Sequence, residues 1–311
     1  WRRAAGAVAP PPGRTGAWRV IGITGANGFI GQAVLRRIGE DACVAHAGPV
    51  DGEADGIDIC DQPALEALFA GIDTIVHLAG PSAVAASFEA PVAFARAHVL
   101  GTATLLAAAE RIGVRHFVHV SSAEVYGRPD TARVSECAPL QPLSPYGAAK
   151  AAAEQLVSAA VRRGALESAI IVRPFSIYGP GMRANGLVGR LAAQARLRQP
   201  MRIFSADTTR DYLHVDDLAR GLLMAARHDE PGLLTLNMAS GTGTDVATLA
   251  AAFARIGGGP DTLIVEGQGD RSRALDIAYL VADVSLAREA LGWQVEVALS
   301  DGVRDCLGGM A

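Results

Sequence analysis

From residue 20 onward the apolar and polar positions follow a repeating order. A short apolar run leads into a glycine-bearing turn, then a longer stretch with apolar residues at helical spacing. Residues 20–24, 42–45, 56–59, 74–79, 116–120 and 169–172 read as strands. Residues 28–38, 64–70, 91–111 and 146–163 read as helices, with Asp61 as the cap of the second. Short apolar strands alternating with helices predict a parallel sheet covered on both faces. After Arg173 and Pro174 the regularity fails, and the helices expected at 188–198, 215–226, 246–256 and 284–291 are separated by Gly- and Pro-rich connections. The expected fold class is α/β: a doubly wound parallel sheet with a second, smaller α/β domain. The sheet domain is expected over 18–174, with later segments near 208–240 and 276–291. The smaller domain takes 175–207, 241–275 and 292–311, and residues 1–17 form an N-terminal extension.

Composition narrows the function classes. The chain has 311 residues, half of them hydrophobic and 19% charged, enough for a substantial core. A formal net charge of −4 argues against a nucleic-acid surface, which needs clustered cations. The four cysteines (Cys43, Cys60, Cys137 and Cys306) are scattered without a C-x-x-C spacing, as expected of core thiols in a reducing, cytoplasmic compartment. No apolar run is read as a membrane span, and the start lacks the apolar core of a secretory signal. No metal site is expected.

Two groups of residues carry chemistry. Gly25, Asn27, Gly28, Phe29, Ile30 and Gly31 follow the first strand and open the first helix. Glycines there permit a tight turn and close approach of a pyrophosphate to backbone N–H groups at a helix N-terminus, the Rossmann arrangement. Tyr146 and Lys150 stand four apart on a predicted helix, so phenol and ammonium share a face. A lysine cation favours the phenolate of a tyrosine that ordinarily ionises near pH ~10. With a serine hydroxyl the pair can remove a proton from an alcohol. The second strand ends near His46 without the acidic residue that marks NAD or the nearby Arg that marks NADP, although Asp58 and Ile59 can still face the adenine.

These motifs, with His77-Leu78-Ala79-Gly80, Ser121 to Gly127, Arg173 to Gly181 and Arg210 to Asp217, resemble the extended short-chain dehydrogenase/reductase family in its nucleotide-sugar epimerase and dehydratase branch. The similarity is greatest to the UDP-glucuronate 4-epimerases. The resemblance implies NAD, in preference to NADP, held by the glycine loop, Asp58, Ile59, Leu78, Ala79, Gly80, Tyr146 and Lys150. It implies a substrate domain for a UDP-sugar, and a homodimer paired through the helices 91–111 and 146–163. By position, Ser122 holds the sugar, Tyr146 is the base and acid, and Lys150 tunes it. Arg210 contacts the diphosphate, joined by Arg271 or Arg273, and Asn185 belongs to the substrate set. Asn237 resembles a lid residue close to the substrate, or else caps a turn. His98 stands where the family usually has Asn.

Glu124, two residues beyond Ser122, matches a position that dehydratases and decarboxylases use. The acid that dehydratases place before it is Ala123 here, which disfavours dehydration. Ser176 and Arg183 match in spacing a pair that holds the C6 carboxylate in uronate 4-epimerases, and a guanidinium suits that carboxylate. The expected function is an NAD-dependent nucleoside-diphosphate-sugar 4-epimerase, with UDP-glucuronate as substrate, acting through a transient 4-keto sugar. The alternatives are a UDP-glucuronate decarboxylase, an NDP-sugar 4-ketoreductase or 4,6-dehydratase, and a non-catalytic NAD(P)-sensing module.

Overall fold

The computed structural model describes residues 20–38, 44–47, 56–182, 186–228, 230–266 and 277–308, with only the backbone of 44–47. The chain divides into two compact units. The first comprises residues up to Val125, Ser144–Arg173 and Ala219–Leu236; the second comprises Tyr126–Leu143, Pro174–Leu218 and Asn237 onward.

In the first unit, β1 (Ile21–Thr24) leads through the glycine turn into α1 (Phe29–Ile38), and β2 (Val44–Ala47) follows. Helix α2 (Gln62–Leu68) starts at Asp61, whose carboxylate accepts the Ala64 N–H at 3.1 Å, as the sequence predicts. After β3 (Thr74–His77) come α3 (Val84–Glu89) and one continuous helix over residues 91–112. That helix is α-helical at each end, α4 (Pro91–Ala95) and α5 (Gly101–Ile112), with a π-helical turn at Arg96–Leu100 between them. Its length and mean hydropathy of 1.4 meet the dimensions of a membrane span, so the sequence reading that no segment does so is corrected. Leu105, Leu106, Ala108 and Ala109 turn one face of it into the core, which equally accounts for the apolarity. Gly113, at φ 78°, ends it in the left-handed conformation.

Strand β4 (His116–Val120), α6 (Pro145–Arg162) and β5 (Ser168–Pro174) complete the alternation. Strands β1 to β5 pair in parallel, with Ile23 opposite Val76 and Val118 opposite Ile170 in the register. With β9 (Gly232–Met238) the described order is β2-β1-β3-β4-β5-β9. The doubly wound parallel sheet expected from the alternation is thus present. The strand expected at 56–59 is not formed. Asp58 instead turns its carboxylate onto the Cys60 N–H at 2.9 Å, a local side-chain bond that competes with extended pairing. Ile75, Phe117 and Ile171 fill the space between the sheet and α5 and α6.

The chain then enters the second unit through β6 (Ser176–Tyr178), α7 (Leu187–Arg196), β7 (Met201–Ile203) and β8 (Thr209–His214). Helix α8 (Val215–Arg227) and β9 (Gly232–Met238) run back through the first unit. The remainder is β10 (Gly243–Asp245), α9 (Val246–Gly257), β11 (Leu263–Val265), β12 (Tyr279–Leu280), α10 (Ser285–Leu291) and α11 (Leu299–Gly308). Strand β8 pairs with β6, β10 and β12, and β7 pairs with β11. Helices α7, α9 and α11 enclose a core of Leu191, Ala195, Leu249, Phe253 and Val303. Apart from β8, the described strands of this unit are only two or three residues long, too short for a periodic signal in the sequence.

Buried polar groups tie the loops of the second unit. The Asp211 carboxylate accepts N–H groups from Ser240 (2.6 Å), Gly241 (2.9 Å) and Ala282 (3.2 Å) and the Ser240 hydroxyl. Asn237 is fully buried: it accepts the Tyr126 hydroxyl at 2.6 Å and donates to the Val134 carbonyl at 2.8 Å. Such satisfied groups fix loop positions that hydrophobic contact leaves free.

Candidate active site

The C-terminal ends of β1, β3 and β4 and the start of α6 carry the candidate residues of the first unit. Helix α6 begins at Ser144, whose hydroxyl accepts the Gly147 N–H at 3.0 Å, with Pro145 preset for the first turn. Tyr146 and Lys150 therefore lie one turn apart near a fixed helix end, both buried. The Lys150 ammonium donates to the Val120 carbonyl at 2.8 Å, at the end of β4. Ser122 lies just beyond, where its hydroxyl accepts the Glu124 N–H at 3.2 Å and is near enough to the Tyr146 phenol to favour its ionised form. Ser122, Tyr146, Lys150 and Glu124 thus form one cluster.

Burial dominates the electrostatics. It pushes the Tyr146 phenol up to about 12, opposed by the Ser122 hydroxyl and reinforced by the Glu124 carboxylate. Burial also brings Lys150 down to about 8, with Glu154 acting in the opposite sense. His98 faces this cluster from the π-helical turn, its ring 5.4 Å from that of Tyr146 and edge-on to it. Its Nε2 bonds the Pro81 carbonyl at 2.8 Å, and burial and the Lys150 charge bring it down to about 3, so it is neutral.

The glycine turn has the geometry of a phosphate cradle. Gly25 takes φ 71°, and a Cβ there would stand 2.8 Å from the Ala79 nitrogen; one on Gly31 would stand 2.3 Å from the Gly25 oxygen. Asn27 and Gly28 are exposed at the head of α1, whose first turn carries no acidic residue to repel an anion. Leu78, Ala79 and Gly80 run alongside, with Phe29 and Ile30 half-buried at the start of α1. These residues fit a dinucleotide. Asp58 lies in an exposed ion pair with Arg96, and its carboxyl sits below its ordinary range through the Cys60 N–H first and then Arg96. Ile59 packs its side chain into the core against Gly101.

In the second unit, Ser176 is half-buried on β6 opposite Tyr212. Arg210 lies on β8, where its guanidinium donates to the Thr209 carbonyl at 3.0 Å. Arg183, Asn185, Arg271 and Arg273 lie outside the described residues. The sequence reading passed over a buried group beneath Lys150. Arg173 donates to Glu154 at 3.0 and 2.6 Å, and the Ser121 hydroxyl donates to the same carboxylate at 2.5 Å. Glu154 stands one turn beyond Lys150, so the i, i+4 stripe that marks Tyr146 and Lys150 would have reached it.

A parallel sheet with a glycine turn after its first strand, and a Ser–Tyr–Lys cluster at the strand ends, defines a dinucleotide-dependent enzyme acting on an alcohol. The model of the NAD dependent epimerase/dehydratase family matches residues 21–239, and the chain belongs to that family. It is an NAD-dependent sugar-nucleotide epimerase by that membership and by its relatives. A UDP-glucose 4-epimerase of Mycolicibacterium smegmatis is 33% identical, over 90% of this chain and 95% of its own length. That of Streptomyces lividans is 32% identical, over 87% and 90%. The structure of MoeE5 in complex with UDP-glucuronic acid and NAD superposes with a TM-score of 0.83 at 29% identity, covering 93% of this chain and 97% of that one.

Proposed function

We propose that the chain is a UDP-sugar 4-epimerase whose substrate is UDP-glucuronate. The observation that carries the 4-epimerase reading is the buried Tyr146 one helical turn from the buried Lys150, with the Ser122 hydroxyl acting on the phenol from the end of β4. Tyr146 takes the proton of the sugar's C4 hydroxyl and later returns it, while Ser122 holds the same oxygen. Lys150 holds the nicotinamide ribose and favours the phenolate. The backbone from Gly25 to Gly31 receives the pyrophosphate. Bound NAD supplies the hydride acceptor and a positive charge. The reaction is redox-neutral, so no cofactor is consumed.

The choice of uronate rests on the Ser176 and Arg183 spacing, and on MoeE5, which is also seen in complex with UDP-glucose and NAD. A sugar oxidised at C4 with a carboxylate at C6 is a β-keto acid, so the clamp on that carboxylate decides between inversion and loss of carbon dioxide. Arg210, Arg271, Arg273 and Asn185 complete the proposed substrate set. A second reading, UDP-glucose, is favoured by the names of the curated relatives. Purified protein given each nucleotide sugar without added cofactor distinguishes them. UDP-galacturonate from UDP-glucuronate supports the proposal. UDP-galactose from UDP-glucose alone supports the second reading, and a UDP-pentose establishes a decarboxylase.

The proposal includes a cytoplasmic homodimer. Phe88, Val92 and Leu100 leave apolar side chains exposed along residues 88–100, Val92 at 80%. Cys60, Cys137 and Cys306 carry free thiols, as a reducing compartment keeps them. A monomeric mass by light scattering would refute the dimer.

A further inference from the structure

A buried histidine links the two strand-end loops of the first unit. Thr24 is the last residue of β1, and its Oγ1 accepts the N–H groups of Leu78 (3.1 Å) and Ala79 (3.2 Å), the former shared with the Thr24 carbonyl. A hydroxyl has two acceptor positions and one proton. With both positions taken, the proton goes to the His77 Nδ1, 2.7 Å away. His77 Nδ1 is then an acceptor, which puts the ring proton on Nε2, where it donates to Thr102 Oγ1 at 3.0 Å on α5. His77 and both threonines are at most 1% exposed. Burial, followed by the Lys150 charge, lowers His77 well below its ordinary value, in keeping with a neutral ring.

We propose that neutral His77, protonated on Nε2, is a positioning residue for the dinucleotide: it locks the Thr24 rotamer that holds the glycine turn against the Leu78–Ala79 segment. The packing leaves no slack between these loops, since a Cβ on Gly25 would stand 2.8 Å from the Ala79 nitrogen. Without an acceptor at Nδ1 the Thr24 hydroxyl loses its buried partner, and a rotation that seeks another releases the Ala79 N–H. The inference rests on the family's dinucleotide and not on which sugar is bound.

The test compares wild type with His77→Phe, which keeps a ring of similar size but neither nitrogen, and with Thr102→Val, which removes only the Nε2 partner. Calorimetric titration of NAD into stripped protein is expected to show affinity falling about tenfold in His77→Phe and less in Thr102→Val. The 15N spectrum of wild-type protein is expected to show His77 as the Nε2–H tautomer. A purely structural role would lower the melting temperature and leave NAD affinity unchanged. Unchanged affinity in folded His77→Phe overturns the proposal. If that variant does not fold, unchanged affinity in Thr102→Val overturns it, as does an Nδ1–H tautomer in the wild type.

Discussion

Lys150 is expected to destabilise the cofactor-free protein, although the proposed chemistry uses it. The side chain is only 5% exposed, and burial brings it from 10.5 to about 8. Its folded-state value is depressed, so the charged form is penalised on folding. The cost is fully present below about pH 8 and disappears as pH rises through 10.5. One pKa unit corresponds to about 1.4 kcal/mol, so the cost at pH 7 is about 3 kcal/mol. Lys150→Met keeps the aliphatic stem and removes the charge. It also removes the bond to the Val120 carbonyl, worth about 1 kcal/mol. The stripped variant should therefore be about 2 kcal/mol more stable than wild type at pH 7 by urea denaturation. At pH 9.5 the ammonium cost falls below half, and the advantage should shrink to near zero. That pH lies below the range where Tyr146, raised from 10.0 to about 12, starts to weaken the fold. His77, His98 and His119 feel the Lys150 charge, but burial is the larger cause in each and keeps all three neutral between pH 7 and 9.5 in both proteins. A variant less stable than wild type at pH 7, or an advantage independent of pH, would refute the reasoning.

Two further outcomes follow from the same cluster. Tyr146→Phe should keep NAD binding and lose kcat by about 10²–10⁴-fold, measured by product formation from the nucleotide sugar; turnover within threefold of wild type would remove Tyr146 from the chemistry. Glu154→Ala breaks a buried ion pair by removing the carboxylate that Arg173 meets with two donors, and should cost about 3–5 kcal/mol in denaturant, whereas Glu154→Leu with Arg173→Met should recover most of it.

The parts of the site that lie along one helix or one turn were legible in the sequence. The i, i+4 spacing of Tyr146 and Lys150 and the glycines at 25, 28 and 31 carry their geometry with them, because local backbone fixes the distances. The Asp61 cap was readable for the same reason. Residues 56–59 were misread because an apolar pattern of four residues does not reveal that the Asp58 side chain will take the Cys60 N–H. Contacts between distant strands left no local trace. His77 and Thr24 are 53 positions apart, and Ser121 and Glu154 are 33 apart. Their pairing depends on the parallel register that sets Thr24 beside His77 and His77 beside His119.

That register explains why the polar residues gather where they do. Side chains two apart on a strand share a face, so Phe117, His119 and Ser121 point to the side that α6 covers. Going from Phe117 toward Ser121, that face changes from apolar to polar, and the same change occurs from Ile75 to His77 on β3. Facing it, α6 changes from Val157 and Ala160 in the core to Glu154 and then Lys150 and Tyr146 toward its start. Sheet and helix therefore become polar at the same level, the C-terminal ends of the strands, where chains of this topology place their ligands. Several of these polar groups find a partner in the opposite layer, whereas both ring nitrogens of the buried His119 have none among the described residues. Ser121 meets Glu154, the Val120 carbonyl meets Lys150, and His77 meets Thr102. A substitution at Ser121, Glu154 or Lys150 then acts on the seating of α6 against the sheet, and through it on Tyr146, while one at His77 acts on Thr24 and the glycine turn. Positions that touch neither sugar nor dinucleotide can therefore alter turnover without changing a single group that performs chemistry.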